Sequence, residues 1–123
     1  MNSKSFDYSV FDNIGFPTRN YEAGAWIFMA EDAGVHMFIV RSGEVHIINN
    51  GSVLEVVGQH GVFGEMSLID GAPRAASAKT TSPTELIAID RPAFLRLVQG
   101  TPEFSLQIMR SMALRIRQLT ETI

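Results

Sequence analysis

One stretch near the middle of the chain, residues 63–78 (FGEMSLIDGAPRAASA), combines residue types that could bind an anion. Its first half predicts a short helix that starts after Gly64, ends at Gly71-Ala72-Pro73 and leads into a strand near Arg74. Unpaired N–H groups at the start of a helix favour a bound anion. The guanidinium of Arg74 is shaped to bind a phosphate through two parallel hydrogen bonds. The stretch therefore predicts an anion pocket.

Glu65 lies within the same stretch, although a carboxylate repels a bound phosphate. It fits if its oxygens accept hydrogen bonds from hydroxyls of the same ligand while Arg74 lies between the two anions. Gly64, Ala75 and Ala76 have little or no side chain, so a ligand can approach their backbone N–H groups closely. A ligand that carries a phosphate and a neighbouring sugar hydroxyl fits this pattern, and a cyclic nucleotide is such a ligand.

The elements that position these residues are predicted to be mainly strands. From Tyr21 to Ile89, short runs of β-branched and aromatic residues are separated by turn signals about every 8–12 residues, as in antiparallel sandwiches and barrels. Asn50-Gly51 is the clearest hairpin signal, because both residues tolerate positive φ. The predicted strands cover residues 25–30, 36–41, 44–48, 53–57, 75–79 and 85–89.

The chain is predicted to end in two helices. Asp90 and Pro92 are typical of the start of a helix that ends at Gly100, and Thr101-Pro102 repeats the start signal for a helix that runs to the C-terminus. The last helix carries an apolar seam with spacings of 3, 4, 3 and 4 residues, which fits packing on a partner helix or on the chain's own strands. We favour a homodimer through this seam, which consists of Met109, Met112, Ile116, Leu119 and Ile123.

Length and composition exclude several classes of protein. The chain has 123 residues, 46% of them hydrophobic, which is enough for one domain with its own core. A net charge of -3 argues against a surface that binds nucleic-acid phosphates. With no cysteine, thiolate metal sites and disulfides are excluded. No signal peptide or membrane-length apolar run is present, so we expect a cytoplasmic protein.

Residues 63–78 resemble the phosphate-binding cassette of the cyclic-nucleotide-binding domain family, of the type found in the catabolite activator protein and the regulatory subunit of cAMP-dependent protein kinase. Gly64, Glu65 and the run Pro73 to Ala76 carry the match without a gap. The resemblance extends to YEAGAWIF at residues 21–28 and to MFIVRSGEVHI at residues 37–47. It covers nearly the whole chain from Tyr21 onward. Residues 63–78 are called the cassette below.

The resemblance implies a mainly β fold with flanking helices (α+β), a double-stranded β-helix or jelly-roll barrel followed by hinge and lid helices. We expect one cyclic-nucleotide-binding domain that consists of an N-terminal helical segment at 1–20, a barrel at 21–89 that contains the cassette, and C-terminal helices at 90–123. A short helix is expected within residues 5–14.

The resemblance also implies a non-catalytic sensor whose nucleotide closes the C-terminal helices. Arg74 would pair with the cyclic phosphate and Glu65 would accept the ribose 2′-hydroxyl. Because Ala75 stands where members that prefer cGMP often have a hydroxyl residue, the implied ligand is cAMP, with cGMP less favoured. The implied binding residues are Phe63, Gly64, Glu65, Met66, Ser67, Arg74, Ala75 and Ala76.

Several other interpretations compete with this one. Glu65 and Arg74 could form a structural ion pair, and the same barrel could sense another small anionic ligand or keep only a vestigial pocket in a dimerisation module. A cupin-like metalloenzyme would need its histidines as ligands, but His36, His46 and His60 show no ligand spacing, and we expect no metal or other cofactor. No activated nucleophile or general-base pair is visible, so we expect no enzyme.

Overall fold

The computed structural model describes residue 11 and residues 15–121, with side chains up to residue 117. The chain divides between Arg91 and Pro92 into two compact units. In chain order the described elements are β1 (Thr18–Tyr21), β2 (Trp26–Phe28), β3 (His36–Ser42), β4 (Val45–Asn49), β5 (Ser52–Val57), β6 (Val62–Phe63), α1 (Glu65–Asp70), β7 (Ser77–Thr80), β8 (Thr84–Asp90), α2 (Arg91–Gly100) and α3 (Pro102–Glu121).

The strands form two antiparallel sheets of four. One sheet has the order β1-β8-β3-β6 and the other β2-β7-β4-β5, so most neighbours in space are distant in sequence. In the first sheet β3 and β8 pair from His36↔Asp90 to Ser42↔Glu85, and a bulge lies near the end of this ladder. The chain crosses repeatedly from one sheet to the other, which matches the predicted mainly β architecture, although the described strands pair as two sheets rather than as one closed barrel.

The core of the β unit lies between the two sheets. Side chains that alternate along β3 and β8, such as Phe38 and Leu86, meet residues of the other sheet such as Val45 and Ala78. Phe38 stacks on Phe63 with ring centroids 5.3 Å apart. The cluster comprises Phe38, Val40, Val45, Val57, Phe63, Ala78, Leu86 and Ala88, with Tyr21, Ile27, Phe28 and Ile47 packed against it. This core holds β6 in place immediately before the cassette helix.

Local sequence signals account for the tight turns. Asn50 and Gly51 connect β4 to β5 with φ values of 53° and 79°, so the predicted hairpin is confirmed. The six predicted strands are present within a few residues of their expected limits. One boundary is wrong, however, because β7 begins at Ser77 and residues 74–76 lie outside the ladder.

Two described strands were not expected from the sequence. β1 starts at Thr18, before the predicted barrel limit at Tyr21, and β6 has only two residues. The short helix expected within residues 5–14 lies outside the described residues except for Phe11.

The second unit contains the C-terminal helices, as predicted. Thr101 separates α2 from α3, and its carbonyl oxygen accepts the N–H of Phe104 at 3.0 Å. Phe94 and Phe104 are buried and meet edge to face, with ring centroids 5.8 Å apart. Within the part of the chain that the structure describes, no helix is both long and apolar enough to cross a membrane.

The apolar seam of α3 is only partly described. Met109 and Ile116 are 58% and 62% exposed, and Met112 is half-buried. The side chains of Leu119 and Ile123 lie outside the described residues. Packing of this seam on a partner helix therefore stays a prediction.

Candidate functional site

The cassette folds around a helix whose two ends are glycines. Gly64 (φ 81°) and Gly71 (φ 72°) both adopt the left-handed conformation, so α1 is limited to the six residues between them. The N–H of Gly71 donates to the carbonyl oxygen of Ser67 at 2.9 Å, and the N–H of Ala72 donates to the Asp70 carboxylate at 2.9 Å. The short helix and turn predicted for this stretch are confirmed.

Arg74 directs its side chain into the protein. It is only 5% exposed, and its Nη1 donates to the carbonyl oxygen of Gly64 at 2.7 Å. Nη2 donates to the carbonyl oxygen of His36 at 2.6 Å. The guanidinium carbon lies 4.0 Å from the centroid of the Phe28 ring, a cation–π contact. Two backbone carbonyls and one ring therefore fix the guanidinium in place.

The backbone of Arg74 is held by the loop between β2 and β3. Its N–H donates to the carbonyl oxygen of Asp32, and its carbonyl oxygen accepts the N–H of Glu31, both at 2.8 Å. The loop is closed by the Asp32 carboxylate, which accepts the N–H of Met29 at 2.9 Å. Ser77 adds a further link, because its Oγ accepts the N–H of Ala30 at 2.8 Å. Arg74 is therefore fixed at both its backbone and its side chain.

Charge is concentrated at this buried position. Burial lowers the pKa of Arg74, while the carboxylates of Glu65 and Asp32 act in the opposite direction. The guanidinium remains protonated, because an arginine does not lose its proton in proteins. Glu65 is 1% exposed, so the cassette keeps one acid and one base out of water. Among the described residues, no acceptor reaches the buried Nε of Arg74.

Gly34 closes the other side of the site. A Cβ at this position would lie 2.4 Å from Cβ of Ser67 and 2.8 Å from the guanidinium carbon of Arg74. Only a glycine allows the loop before β3 to approach α1 and Arg74 this closely. The sequence analysis did not identify this role.

The residues expected to bind ligand occupy different depths. Glu65, Ser67 and Arg74 are buried, and Met66 is 49% exposed. Gly64 and Ala76 are half-buried and Ala75 is exposed. Phe63 is 1% exposed and packs in the core, where it anchors the start of the cassette.

Four residues around Arg74 were missed in the sequence analysis. Phe28, Asp32, Gly34 and His36 all lie on or beside the loop that joins β2 to β3. The run Asp32-Ala33-Gly34 is a turn signal, but nothing in it indicates contact with a residue some forty positions away. Elsewhere, the described residues contain no group of three or more His, Asp or Glu placed to hold a metal ion.

The fold and the site together define a two-sheet β domain whose cassette is built around a buried arginine and a buried glutamate. The chain belongs to the cyclic nucleotide-binding domain family, which it matches over residues 18–101. The resemblance identified in the sequence is thereby confirmed.

Two related proteins are similar in sequence to this chain over most of its length. The chain is 34% identical over 108 residues to the cyclic AMP receptor protein of Thermus thermophilus, a match that covers 84% of this chain and 50% of that protein. It is 35% identical over 86 residues to a cGMP-dependent protein kinase of Plasmodium berghei, covering 69% of this chain and 10% of the kinase. The chain thus spans about half of the bacterial relative and a small part of the kinase.

Solved structures support the same fold. The Thermus thermophilus catabolite activator protein superimposes with a TM-score of 0.82 at 31% identity, covering 94% of this chain and 56% of that one. A protein of a cyclic-GMP-dependent signalling pathway in bacterial phytopathogenesis gives a TM-score of 0.77 at 26% identity, covering 88% and 90%. The predicted jelly-roll fold with C-terminal helices is confirmed.

Proposed function

We propose that this domain is a non-catalytic sensor that binds cAMP in the cassette and responds by closing its C-terminal helices. The observation that carries the proposal is the orientation of Arg74, which is buried beside Gly64 with its guanidinium turned into the site. An arginine used only at the surface would keep its charged group in water. The carboxylates of Glu65 and Asp32 act on this guanidinium, but its own hydrogen bonds go to neutral carbonyls, and the proposal assigns its remaining donors to an anion.

The proposal assigns one ligand contact to each of several cassette residues. Arg74 binds the cyclic phosphate through donors other than those that hold Gly64 and His36. Glu65 accepts the ribose 2′-hydroxyl, because a buried carboxylate is a strong acceptor. Met66 lies beside the sugar, Ser67 adds a hydroxyl, and Phe63 supports the start of the cassette from the core. The backbone N–H groups of Gly64, Ala75 and Ala76 complete the site.

The preference for cAMP rests on Ala75. Its methyl group offers no hydrogen bond to the amino group of guanine, whereas a hydroxyl residue would. The named relatives include both a cyclic AMP receptor protein and a cGMP-dependent protein kinase, so family membership alone does not choose between the two ligands. Titration of the purified domain with cAMP and with cGMP measures the two affinities and decides the preference. A thermal-shift panel that also includes cyclic dinucleotides and organic acids detects a different ligand.

The response to nucleotide is a shift between two arrangements of α2 and α3. Nucleotide can shift this equilibrium only by the difference in its affinity for the two arrangements. In this proposal the barrel and the C-terminal helices act as one domain, and the exposed Met109 and Ile116 of α3 contribute to a homodimer. Sedimentation with and without cAMP tests the dimer.

Replacement of Arg74 tests the phosphate contact. We expect Arg74→Ala to weaken cAMP binding by about 2–4 kcal/mol, since charge-assisted hydrogen bonds to a buried anion are lost. Isothermal titration calorimetry measures the change. Arg41→Ala, which removes a surface arginine of β3 that pairs with Glu85, is the matched control and should bind like the parent. Arg74→Lys keeps the charge and should lose less affinity, which protects the test if the alanine variant is unstable. Unchanged affinity in both Arg74 variants would contradict the phosphate contact.

A change in the ligand tests Glu65 without altering the protein. We expect 2′-deoxy-cAMP to bind about 10-fold to 100-fold more weakly than cAMP, because a buried acceptor loses its donor. Competition against a fluorescent cAMP analogue measures the ratio. Equal binding of the two nucleotides would remove the ribose contact from Glu65 while leaving the Arg74 contact intact.

A further inference from the structure

Three basic side chains gather around two neighbouring aromatic rings of the β unit. Phe28 and Phe38 stack with ring centroids 6.3 Å apart. The guanidinium carbon of Arg74 lies 4.0 Å from the centroid of the Phe28 ring, and that of Arg19 lies 5.6 Å from the centroid of the Phe38 ring. The imidazole of His36 lies 6.1 Å from the Phe38 centroid. Arg19, His36 and Arg74 are called the basic cluster below.

His36 is joined directly to the proposed phosphate-binding residue. Its carbonyl oxygen accepts the hydrogen bond from Nη2 of Arg74 at 2.6 Å. Its side chain is half-buried and lies beside Phe38, whose ring packs in the core. A positive charge on the imidazole would therefore interact with the guanidinium across a partly apolar region, where charges are screened less than in bulk water.

The charged groups around the basic cluster favour an unprotonated imidazole. Partial burial and the charge of Arg19 lower the pKa of His36, and Arg74 lowers it further. Asp90, which lies opposite His36 in the β3–β8 ladder, raises this pKa but does not prevail. Two further carboxylates act on Arg74, those of Glu65 in α1 and of Asp32 in the loop between β2 and β3. Near neutral pH, His36 is therefore uncharged.

A bound phosphate would change this balance. It would place a negative charge at Arg74 and so offset one of the two cations that disfavour a proton on His36. Binding linkage is reciprocal, so an anion that raises the proton affinity of His36 must itself bind more tightly once His36 is protonated. The proton comes from solvent. The phosphodiester of cAMP keeps one negative charge at mildly acidic and neutral pH, so its own titration does not contribute.

We propose that binding of the cyclic phosphate is coupled to the uptake of a proton by His36, so that the domain binds its nucleotide more tightly as the pH falls below neutral. The inference rests on the proposed function, which places the phosphate at Arg74. It gives the His36 side chain a regulatory role that is separate from the hydrogen bond made by its backbone. His46, which pairs with Glu44, and His60, in the loop between β5 and β6, lie outside the basic cluster.

The pH dependence of affinity tests the coupling. We expect cAMP to bind the parent about threefold or more tightly at about pH 5.5 than at about pH 8. Calorimetry near about pH 6, in two buffers of different ionisation enthalpy, should show net proton uptake on binding. His36→Gln should flatten the ratio of the two affinities and abolish the uptake, because glutamine gains no proton. His60→Asn is the matched control and should keep both effects.

Nuclear magnetic resonance of the His36 imidazole keeps the test open if His36→Gln is unstable. In the parent, saturating cAMP should raise the pH midpoint at which this imidazole titrates. Arg19→Gln should raise the midpoint without nucleotide, because one of the cations that repel the proton is removed. Equal cAMP affinity at the two pH values, with no proton uptake, would overturn the inference and leave the Arg74 contact in place.

A simple anion separates this inference from the proposed function. If the parent binds no cyclic nucleotide, the proposed function fails, and sulfate becomes the probe, since it stays a dianion at mildly acidic and neutral pH. A His36 midpoint that is higher in sulfate than in chloride at equal ionic strength would support the coupling between an anion at Arg74 and the proton. An identical midpoint in the two salts would overturn it.

Discussion

At the scale of single residues, the site depends on how a buried arginine is kept in place. Desolvation destabilises the charged form of Arg74, and its lowered pKa reflects this cost. Two carbonyl acceptors, the face of Phe28 and the nearby carboxylates of Glu65 and Asp32 offset the cost. The guanidinium is thus held in one orientation, so under the proposed function little ordering of this side chain would remain to oppose the binding of a phosphate.

A substitution at Gly34 tests this close packing. We expect Gly34→Ala to lower the free energy of unfolding by about 1–3 kcal/mol, because the new methyl group would overlap Ser67 and the Arg74 guanidinium. Displacement of Arg74 should also weaken cAMP binding. Chemical denaturation and calorimetry measure the two effects. Gly58→Ala is the matched control, since a Cβ there meets nothing within 4 Å. Equal stability of the two variants would show that the loop does not press on Arg74.

Sequence reasoning identified the charged residues of the cassette, but it did not identify the residues that fix the Arg74 side chain in position. Gly64, Glu65 and Arg74 lie within one window of eleven positions, where residue type and spacing indicate an anion site. His36 contributes only a backbone carbonyl, 38 positions from Arg74, so its side chain gives no signal. Phe28 looks like any other core aromatic until the structure places it against the guanidinium. Contacts that depend on topology are not visible in local patterns.

At the scale of elements, the strands that the sequence predicts are those with a buried face. β3 and β8 are central strands with four consecutive buried residues each, and both were expected. β1 was missed because it lies at a sheet edge and its residues are polar and largely exposed. The predicted start of β7 was too early. The backbone of Arg74 forms its hydrogen bonds with Glu31 and Asp32 in the loop between β2 and β3, and not with a neighbouring strand.

One buried hydroxyl fixes the turn between β1 and β2 to β7. Thr80 is fully buried; its Oγ1 donates to the carbonyl oxygen of Glu22 at 2.6 Å and accepts the N–H of Ala25 at 2.9 Å. We expect Thr80→Val to lower the free energy of unfolding by about 1–3 kcal/mol, because both backbone groups lose a partner in an isosteric side chain.

The neighbouring threonine provides the control for this element. Thr81 is exposed and bonds through its hydroxyl to the Glu44 carboxylate, so Thr81→Val should change stability by less than about 0.5 kcal/mol. Urea denaturation of the two variants side by side gives the comparison. A Thr80→Val variant as stable as Thr81→Val would show that water replaces the lost hydrogen bonds.

At the scale of the whole molecule, protonation links the site to stability. Burial lowers the pKa of His36 from its ordinary value of 6.5, the charges of Arg19 and Arg74 lower it further, and Asp90 opposes them. In the unfolded chain the imidazole takes up a proton near pH 6.5, whereas the folded protein takes it up only at lower pH. As the pH falls below about 6.5, the unfolded state therefore binds more protons than the folded state, and the free energy of unfolding decreases.

This linkage predicts the pH dependence of folding. Between pH 7.5 and 5.5 we expect the parent to lose stability more steeply than His36→Gln, because glutamine cannot take up the proton while the backbone carbonyl at this position still accepts from Arg74. Urea denaturation at intervals of about half a pH unit measures the two slopes. His60→Asn, in which asparagine tolerates the positive φ of 67° at this position, is the control and should follow the parent. If His36→Gln and the parent lost stability in parallel, protonation of His36 would not contribute, and the acid sensitivity would belong to carboxylates elsewhere in the chain.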